Sequence, residues 1–168
     1  IAKANAAVQP GTTVVLTGAF VKEVIAPARS GTAAAPIVYT AGSAGASLDQ
    51  PGLVGSIPYE VYLGARSYVT VSGLTIGNSN YVDAPVANTG VVLRSSDHIT
   101  FAHNTFDHMQ MQLIGSDDNT IANNTGAYAG GIALIYDGHL VIENSAVVQN
   151  TQTGTGFGVG GIRTWGVF

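Results

Sequence analysis

Three side chains in the middle of the chain have the chemistry that is needed to hold a carboxylate and to move a proton. Arg94 carries a guanidinium that pairs with carboxylates, and His108 and Tyr128 carry groups that take up or release a proton. Removal of a proton from a carbon beside a carboxylate needs both functions, because negative charge grows on the carboxylate as the proton leaves. We therefore predict Arg94, His108 and Tyr128 as candidate catalytic residues. A solvated His108 beside Asp107 is the simpler alternative.

A second set of residues could bind an extended acidic ligand with flat apolar faces, such as a glycan. Aromatic rings stack on sugar faces, while guanidinium, amide and carboxylate groups bond to sugar substituents. The predicted binding residues are Tyr62, Asp107, Gln112, Arg163 and Trp165. The alternative is structural, because arginine and tryptophan on a strand surface also cover apolar area, and Trp165 could pack against a following repeat.

A regular repeat of the sequence must position these side chains. Its copies span Gly90–Phe106, Met111–Thr125 and Gly131–Ser145. The residues that recur at one constant interval are Asn104, Asn124 and Asn144; Asp97, Asp117 and Asp137; and Phe101, Ile121 and Val141. A fixed interval of this size is typical of a solenoid, in which each repeat buries its apolar face against its neighbours.

Apolar residues alternate within each repeat, which indicates short strands. Val91 and Leu93 make one such pair, and Ile99 and Phe101 make another. No run of ten or more residues has helical periodicity, so we predict an all-β solenoid of stacked parallel strands. An asparagine amide both donates and accepts, and we therefore predict that Asn104, Asn124 and Asn144 form a structural ladder rather than a catalytic group.

The lengths of the connections predict a cleft on one surface. Long loops at 77–89 and 146–160 flank two short ones, and insertions on one side of a solenoid usually mark its binding surface. Side chains that alternate with the inward set Val91, Leu93, Leu113, Ile132, Leu134, Ile162 and Thr164 point outward there. The outward set is Tyr62, Val92, Arg94, Gln112, Ile114, Ala133, Ile135, Arg163 and Trp165. Arg94 and Arg163 are then about 14 Å apart, at about 4.8 Å per coil.

Composition narrows the class of protein. The 168 residues are 46% hydrophobic and only 10% charged, which fits one domain with much buried strand. Six lysines and arginines, scattered along the chain, give no basic surface for nucleic acid. The absence of cysteine excludes disulfides and thiol chemistry, and no apolar segment is long enough to cross a membrane.

We predict a single domain over 1–168, with a cap at 1–9, first coils at 13–76 and regular coils at 90–168. The alanine-rich start favours a short helix, which Pro10 and Gly11 end. Such a helix would cover the open end of the solenoid. The abrupt start at Ile1 and end at Phe168 predict a piece of a longer chain.

The first third of the chain resembles a known family. PGTTVVLTGAFVKEVIAPARSGTAAAPIVYTAG (10–42) is followed by SYVTVSGLTIGN (67–78). This order is similar to the start of right-handed parallel β-helix proteins of polysaccharide lyase family six, which include chondroitinase B and alginate lyases. There, a PGDTI-type strand, an SGT-x-x-x-PI turn and a YV-x-x-x-GLT strand follow one another. The later coils match only the general repeat of pectate-lyase-like β-helices.

The resemblance implies an extracellular or cell-surface protein that binds, and could cleave by β-elimination, an acidic polysaccharide. If the protein is an enzyme, we predict that Arg94 and Arg163 neutralise carboxylates and that His108 or Tyr128 transfers the proton. The family's catalytic lysine has no counterpart, because the only lysines are Lys3 and Lys22. The alternative is therefore a non-catalytic structural or fibre protein that associates end to end through its C-terminal coil.

Calcium is the one metal that the sequence suggests. The family uses calcium, and stacked Asp97, Asp117 and Asp137 would repel one another unless a cation or water screened them. We favour water, because the three residues are also suited to turns. No spacing among the four histidines resembles a zinc site.

Overall fold

The computed structural model describes residues 1–49, 59–77, 89–107, 110–127, 131–137, 146–148, 151–153 and 162–167. Within these ranges the chain forms one short helix, α1 (Ala2–Ala7), and otherwise strands. The strands are β1 (Thr13–Val21), β2 (Ile37–Asp49), β3 (Val61–Gly64), β4 (Val69–Ser72), β5 (Thr75–Gly77), β6 (Thr89–Arg94), β7 (Thr100–Ala102), β8 (Thr105–Asp107), β9 (Gln110–Ile114), β10 (Thr120–Ala122), β11 (Thr125–Ala127), β12 (Gly131–Asp137), β13 (Ala146–Val148), β14 (Thr151–Thr153) and β15 (Ile162–Val167).

The strands form three faces, each made of parallel strands, and the chain passes through the three faces in a fixed order. The first face contains β3, β6, β9, β12 and β15, the second contains β4, β7, β10 and β13, and the third contains β5, β8, β11 and β14. Neighbouring strands run parallel throughout. One coil is therefore one strand from each face. The predicted all-β parallel β-helix with a short N-terminal helix is confirmed.

The first two strands each run along two faces. Residues 37–40 of β2 pair with β4 on the second face, and residues 47–49 pair with β5 on the third. β1 follows β2 in parallel, with a register shift between Leu16 and Gly18 where both strands turn the corner. Gly18 has φ of +91°, a conformation that glycine adopts without steric cost.

Inward side chains from all three faces fill one core. Val61, Leu63, Val91, Leu93, Met111 and Leu113 come from the first face, Val69, Val71, Phe101 and Ile121 from the second, and Leu48, Ile76 and Phe106 from the third. The predicted inward positions Val91, Leu93 and Leu113 are buried. Strand pairing aligns Ile132 and Ile162 with Met111, and Leu134 and Thr164 with Leu113.

The helix α1 is tied to the first coil by one asparagine. Asn5 Nδ2 donates to Val24 O at 2.7 Å, and Asn5 Oδ1 accepts from Tyr39 Oη at 2.9 Å. Val8, just after the helix, is buried in the core. These contacts hold α1 at the N-terminal end of the coils, as expected for a cap.

The corners repeat the same backbone conformation from coil to coil. Residues with left-handed φ form three aligned columns, which are Ala65, Ser95 and Gly115; Tyr68, His98 and Asp118; and Gly73, His103 and Asn123. The first two columns lie between the first and second faces, and the third lies between the second and third. Left-handed conformations are costly for most residues, so the coil geometry must impose them.

Buried asparagine amides join the coils at the corner between the second and third faces. Asn124 Oδ1 accepts from the backbone N–H of Asn104 at 2.9 Å and from Asn104 Nδ2 at 3.2 Å, and Asn124 Nδ2 donates to Phe101 O at 3.0 Å. One coil earlier, Asn104 Oδ1 accepts from the N–H of Leu74 at 3.0 Å, and Asn104 Nδ2 donates to Val71 O. Each amide therefore bonds its own corner to the corner of the preceding coil.

A second buried polar group, which the sequence analysis missed, lies between the first and second faces. Asn119 Oδ1 accepts from the N–H of Ile99 at 2.8 Å, and Asn119 Nδ2 donates to Ser96 O at 3.0 Å. The N–H of Ser96 donates to Ser116 Oγ at 3.1 Å, and Ser96 Oγ donates to Leu63 O. Ser96 and Ser116 are separated by the same interval as Asn104 and Asn124, so the repeat could have revealed them.

The strand register corrects the third step of the repeat. Ile121 pairs with Val147, not with the predicted Val141, and Thr125 pairs with Thr151. The step there is longer than the repeat interval. The predicted third ladder member, Asn144, lies outside the described residues, so its place in the ladder stays a prediction.

Two further predictions fail for the same reason. The predicted loop at 146–160 contains β13 and β14, because the added residues of this coil fall between β12 and β13. On the first face, Ile135 pairs with Ile114, so this step also exceeds the repeat interval. Continuing that register puts Asp137 level with Ser116 rather than with Asp117. The other predicted loop, 77–89, lies outside the described residues except for its two ends.

Replacement of Asn124 by alanine tests whether the corner amides stabilise the stack. The change removes the acceptor for two N–H groups and the donor to Phe101 O, all in a buried corner. An unsatisfied buried group costs about 1–3 kcal/mol, so we expect a loss of about 2–4 kcal/mol in the free energy of unfolding, measured by urea denaturation. Thr125→Ala, at the exposed neighbouring position, should change it by less than about 0.5 kcal/mol. Equal losses in both variants would contradict this role.

Candidate functional site

The strand register aligns the residues at the outward positions of the first face in two columns. The first column is Tyr62, Val92, Gln112, Ala133 and Arg163, and the second is Gly64, Arg94, Ile114, Ile135 and Trp165. The register therefore brings the outward residues of the sequence analysis onto one surface. Arg94 and Arg163 are three strands and one column apart, about 16 Å at the usual strand spacing.

A pair of tyrosines dominates the N-terminal part of this surface. The rings of Tyr59 and Tyr62 stack with centroids 5.2 Å apart and an angle of 28° between their planes. Tyr62 is 36% exposed, one of the few large hydrophobic side chains in the described ranges that reach solvent. We refer to Tyr59 and Tyr62 as the tyrosine pair.

Gly64 makes room for this arrangement. A Cβ atom on Gly64 would lie 2.5 Å from the Tyr62 hydroxyl and 2.6 Å from two ring carbons. The Tyr62 ring therefore extends along β3 and lies over Gly64, which pairs with Arg94 on the neighbouring strand. The arrangement presents an aromatic surface next to an exposed arginine.

The remaining described residues of the surface are mixed in polarity. Gln112 and Ile114 are half-buried on β9. Val92, between Tyr62 and Gln112 in its column, is only 3% exposed although it does not belong to the interior core. The outer surface is therefore packed at this point. Arg163 and Trp165 have backbone positions in β15, three strands from Arg94.

Asp107 lies at the end of the third face, shortly before the chain enters the first face again. Asp107 ends β8 and is half-buried beside Gly77 on the preceding coil, and β9 begins shortly after it at Gln110. His108 and Tyr128 lie outside the described residues. The structure thus brings Tyr62, Arg94 and Gln112 together and puts Asp107 at the start of the same surface.

Glu60, which the sequence analysis missed, lies at the entrance to β3. Its backbone belongs to the stack, since its N–H donates to Gly90 O at 2.8 Å and its O accepts from the N–H of Ile25 at 2.9 Å. The side chain is 2% exposed, and its Oε2 has no hydrogen-bond partner within the described part of the chain. The sequence contained one signal for this residue, which is that Glu60 is acidic and directly precedes an apolar strand, between Tyr59 and Tyr62.

The burial of Glu60 changes its protonation. Desolvation is the main cause that raises the pKa of Glu60 to about 8, and the negative charge of Asp49 adds to it. A hydrogen bond from its own backbone acts in the opposite direction but is outweighed. At neutral pH the group is therefore a carboxylic acid, which can donate a hydrogen bond and carries no charge.

A second column of polar side chains lies at the corner between the first and second faces. The Tyr68 and His98 rings stack with centroids 4.5 Å apart, and His98 Nε2 is 4.0 Å from Asp118 Oδ2. Beside them, the N–H of Asp117 donates to Asp97 Oδ1 at 3.3 Å. His98 and Asp118 are both exposed, so this column is open to solvent.

Metal-ligating groups are sparse in the ranges that the structure covers. No cluster of three or more histidine, aspartate or glutamate residues there could hold a metal ion. Asp97 and Asp117 are neighbours, but Asp137 is out of their register. The predicted column of three aspartates is therefore wrong in its third member. Among the same residues, no helix has the length and hydropathy that are needed to span a membrane.

Comparison with known proteins identifies the fold and leaves the activity open. A family model described as "right handed beta helix region" matches residues 41–163. The chain matches no curated protein and no solved structure. The matched range covers the tyrosine pair, Glu60, Arg94 and every strand of the first face except the last residues of β15.

Because Glu60 is a buried acid, we expect the free energy of unfolding to fall as pH rises. The folded-state pKa of Glu60, about 8, is above the unfolded value of 4.5. Below the unfolded pKa, Glu60 is neutral in both states and its stabilisation is complete. As pH rises to the folded pKa, the unfolded chain ionises first and that stabilisation is lost, by up to a few kcal/mol at about 1.4 kcal/mol per pKa unit.

Glu60→Gln should remove this dependence, because glutamine stays neutral. We expect the variant to be more stable than the wild type at about pH 8 and similar to it at about pH 5, as measured by urea midpoints. The exposed Asp118→Asn should keep the wild-type slope. A Glu60→Gln protein with that same slope would show that another group causes the dependence.

Proposed function

The chain belongs to the right-handed β-helix family, and from this premise we propose that it binds an acidic polysaccharide on the outer surface of its first face. The observation that supports this most is the stacked tyrosine pair over Gly64, next to Arg94. Sugar rings stack on aromatic faces, and arginine pairs with uronate carboxylates. The half-buried Gln112 adds an amide that bonds to hydroxyl groups.

The geometry of the β-helix suits a linear ligand. Equivalent side chains recur at about 4.8 Å along a straight column, so a chain of sugars that lies on the first face meets a new residue at each coil. Tyr62 and Arg94 would bind the sugars at the N-terminal end of the first face. Arg163 and Trp165 on β15 would extend the site toward the C-terminal end. Asp107, at the entrance to β9, would bond to hydroxyl groups at its edge.

Cleavage by β-elimination is the catalytic form of this proposal. Arg94 would neutralise the carboxylate of the reacting uronate, and Arg163, about 16 Å away, would pair with the carboxylate of another uronate along the polymer. His108 or Tyr128 would take the proton from C5. The electron pair then forms the C4=C5 double bond as the C4–O bond breaks, and the leaving oxygen takes up a proton. The resemblance to polysaccharide lyase family six supports this step, and so does an extracellular or cell-surface location, where such polymers occur.

A non-catalytic assembly role is the second candidate. Within the described residues, β1 pairs only with β2, and it carries Val15 and Val21, which are 60% and 54% exposed. A strand with one open side can recruit another chain. Light scattering across a range of concentrations separates the roles, because assembly predicts a mass that rises with concentration.

Replacement of Tyr62 and Arg94 tests the binding site. We expect Tyr62→Ala and Arg94→Ala each to weaken binding to polygalacturonate or alginate about tenfold, equal to about 1.4 kcal/mol, as measured by calorimetry. Thr105→Ala, exposed on the third face, is the matched control and should bind like the wild type. No binding by the folded wild type, or equal weakening in the control, contradicts the proposal.

Absorbance of the unsaturated product tests cleavage separately. A lyase releases C4=C5 uronate from alginate, pectate or chondroitin, and the rate should fall at least about a hundredfold in Arg94→Ala. Binding without product on any of the three polymers leaves the binding proposal intact and removes the lyase.

A further inference from the structure

Glu60 shares a short segment of chain with the tyrosine pair. Tyr59, Glu60 and Tyr62 lie close together in sequence at the entrance to β3, and the two tyrosine rings stack on each other. The carboxyl is enclosed and its Oε2 lacks a hydrogen-bond partner in the described part of the chain. A negative charge at that atom would therefore go uncompensated by any hydrogen bond from these residues.

The charged and titratable groups around this segment come from three elements. Asp49, at the end of β2, is the group whose negative charge acts on Glu60. Glu23, near the Ile25 bridge that pairs with β3, lies 3.1 Å from the N-terminal ammonium and is occupied there. Lys22 precedes it, and its backbone N–H donates to Asp49 O. On the other side, β6 brings Arg94 at its C-terminal end.

The sequence segments that precede β3 and β6 are poor in charge. Residues 50–58 contain no charged residue, and residues 78–88 contain one, Asp83. Burial and the negative charge of Asp49 both favour a proton on Glu60.

We propose that Glu60 is a proton-dependent switch for the sugar-binding surface: the tyrosine pair is formed, and an acidic glycan binds, only while Glu60 is protonated. This inference rests on the proposed function and specifies how that site is regulated. Its basis is the juxtaposition, in one short segment, of an enclosed carboxyl whose Oε2 lacks a hydrogen-bond partner among the described residues with the two aromatic rings that would carry the sugar.

Ionisation of Glu60 weakens the site in two ways. A buried carboxylate whose Oε2 has no hydrogen-bond donor must draw in water or move toward solvent, and either movement displaces the segment that holds Tyr59 and Tyr62. The new negative charge, added to that of Asp49, also repels a polyanion. Both effects act in the same direction, so binding is strong at acidic and neutral pH and is lost at alkaline pH.

Binding to polygalacturonate at two pH values tests the switch. Polygalacturonate keeps its charge between about pH 6 and about pH 9, because its carboxyl groups titrate far below this range. The dissociation constant of the wild type should rise at least about tenfold over this interval, and that of Glu60→Gln should stay constant within about twofold. A constant value for the wild type, or an equal rise in both proteins, overturns the proposal.

Ring signals of ¹³C-labelled tyrosine provide a readout that needs no glycan. Tyr59→Phe and Tyr62→Phe assign the two signals by their disappearance. Both signals should shift with a midpoint near pH 8 in the wild type, below the normal ionisation range of tyrosine near about pH 10, and should not shift in Glu60→Gln. The same shift in Glu60→Gln, or none in the wild type, overturns the switch.

Asp49→Asn should move the pH midpoint of the tyrosine transition but should not abolish the transition. Removal of that negative charge should lower the pH at which the tyrosine signals change, whereas Asp118→Asn, on the opposite corner, should leave it unchanged. A tyrosine transition without glycan binding at either pH overturns the proposed function and the ligand named here, while it supports Glu60 as the proton site. Binding that is independent of pH supports the proposed function and overturns the switch.

Discussion

The in-register stacking of coils is the constraint on which the rest of this molecule depends. Every strand forms backbone hydrogen bonds with strands of neighbouring coils. A slip of one residue would therefore turn the apolar side chains outward and the polar side chains inward. Asn104, Asn119 and Asn124 oppose such a slip, because their buried amides fit only the carbonyl and N–H groups of the preceding coil. A buried amide that loses its partners costs free energy, so these corners select one register out of several.

The outer surface follows from the same register. Tyr62, Arg94 and Gln112 are far apart in sequence, but the ladder puts them on adjacent strands of one flat face. Gly64 contributes because it has no side chain. Any side chain there would displace the Tyr62 ring from its place beside Arg94. The site therefore needs no binding loop of its own in order to bring an aromatic surface and a cation together.

The sequence was sufficient for the architecture and for the outward columns, because both depend on short-range alternation. Val91, Leu93 and Leu113 point inward as their period of two predicts. The repeat interval was less reliable, since Asn144 and Asp137 matched it by residue type while strand pairing advanced by a longer step at both places. Glu60 was not predictable from alternation, which would put it on the outer surface beside Tyr62. Its burial depends on packing between coils that the sequence does not express.

Binding and cleavage make different demands on this surface. Binding an acidic sugar needs a cation and an aromatic face, and β3 and β6 supply both in Arg94 and the tyrosine pair. Elimination also needs a group that accepts a proton at the working pH. Glu60 is unsuited to that role, because a carboxyl that holds its own proton at neutral pH does not remove another from carbon. The proton acceptor of the proposed elimination is therefore assigned to His108 or Tyr128, which follow β8 and β11 in the sequence, and the binding proposal does not depend on that assignment.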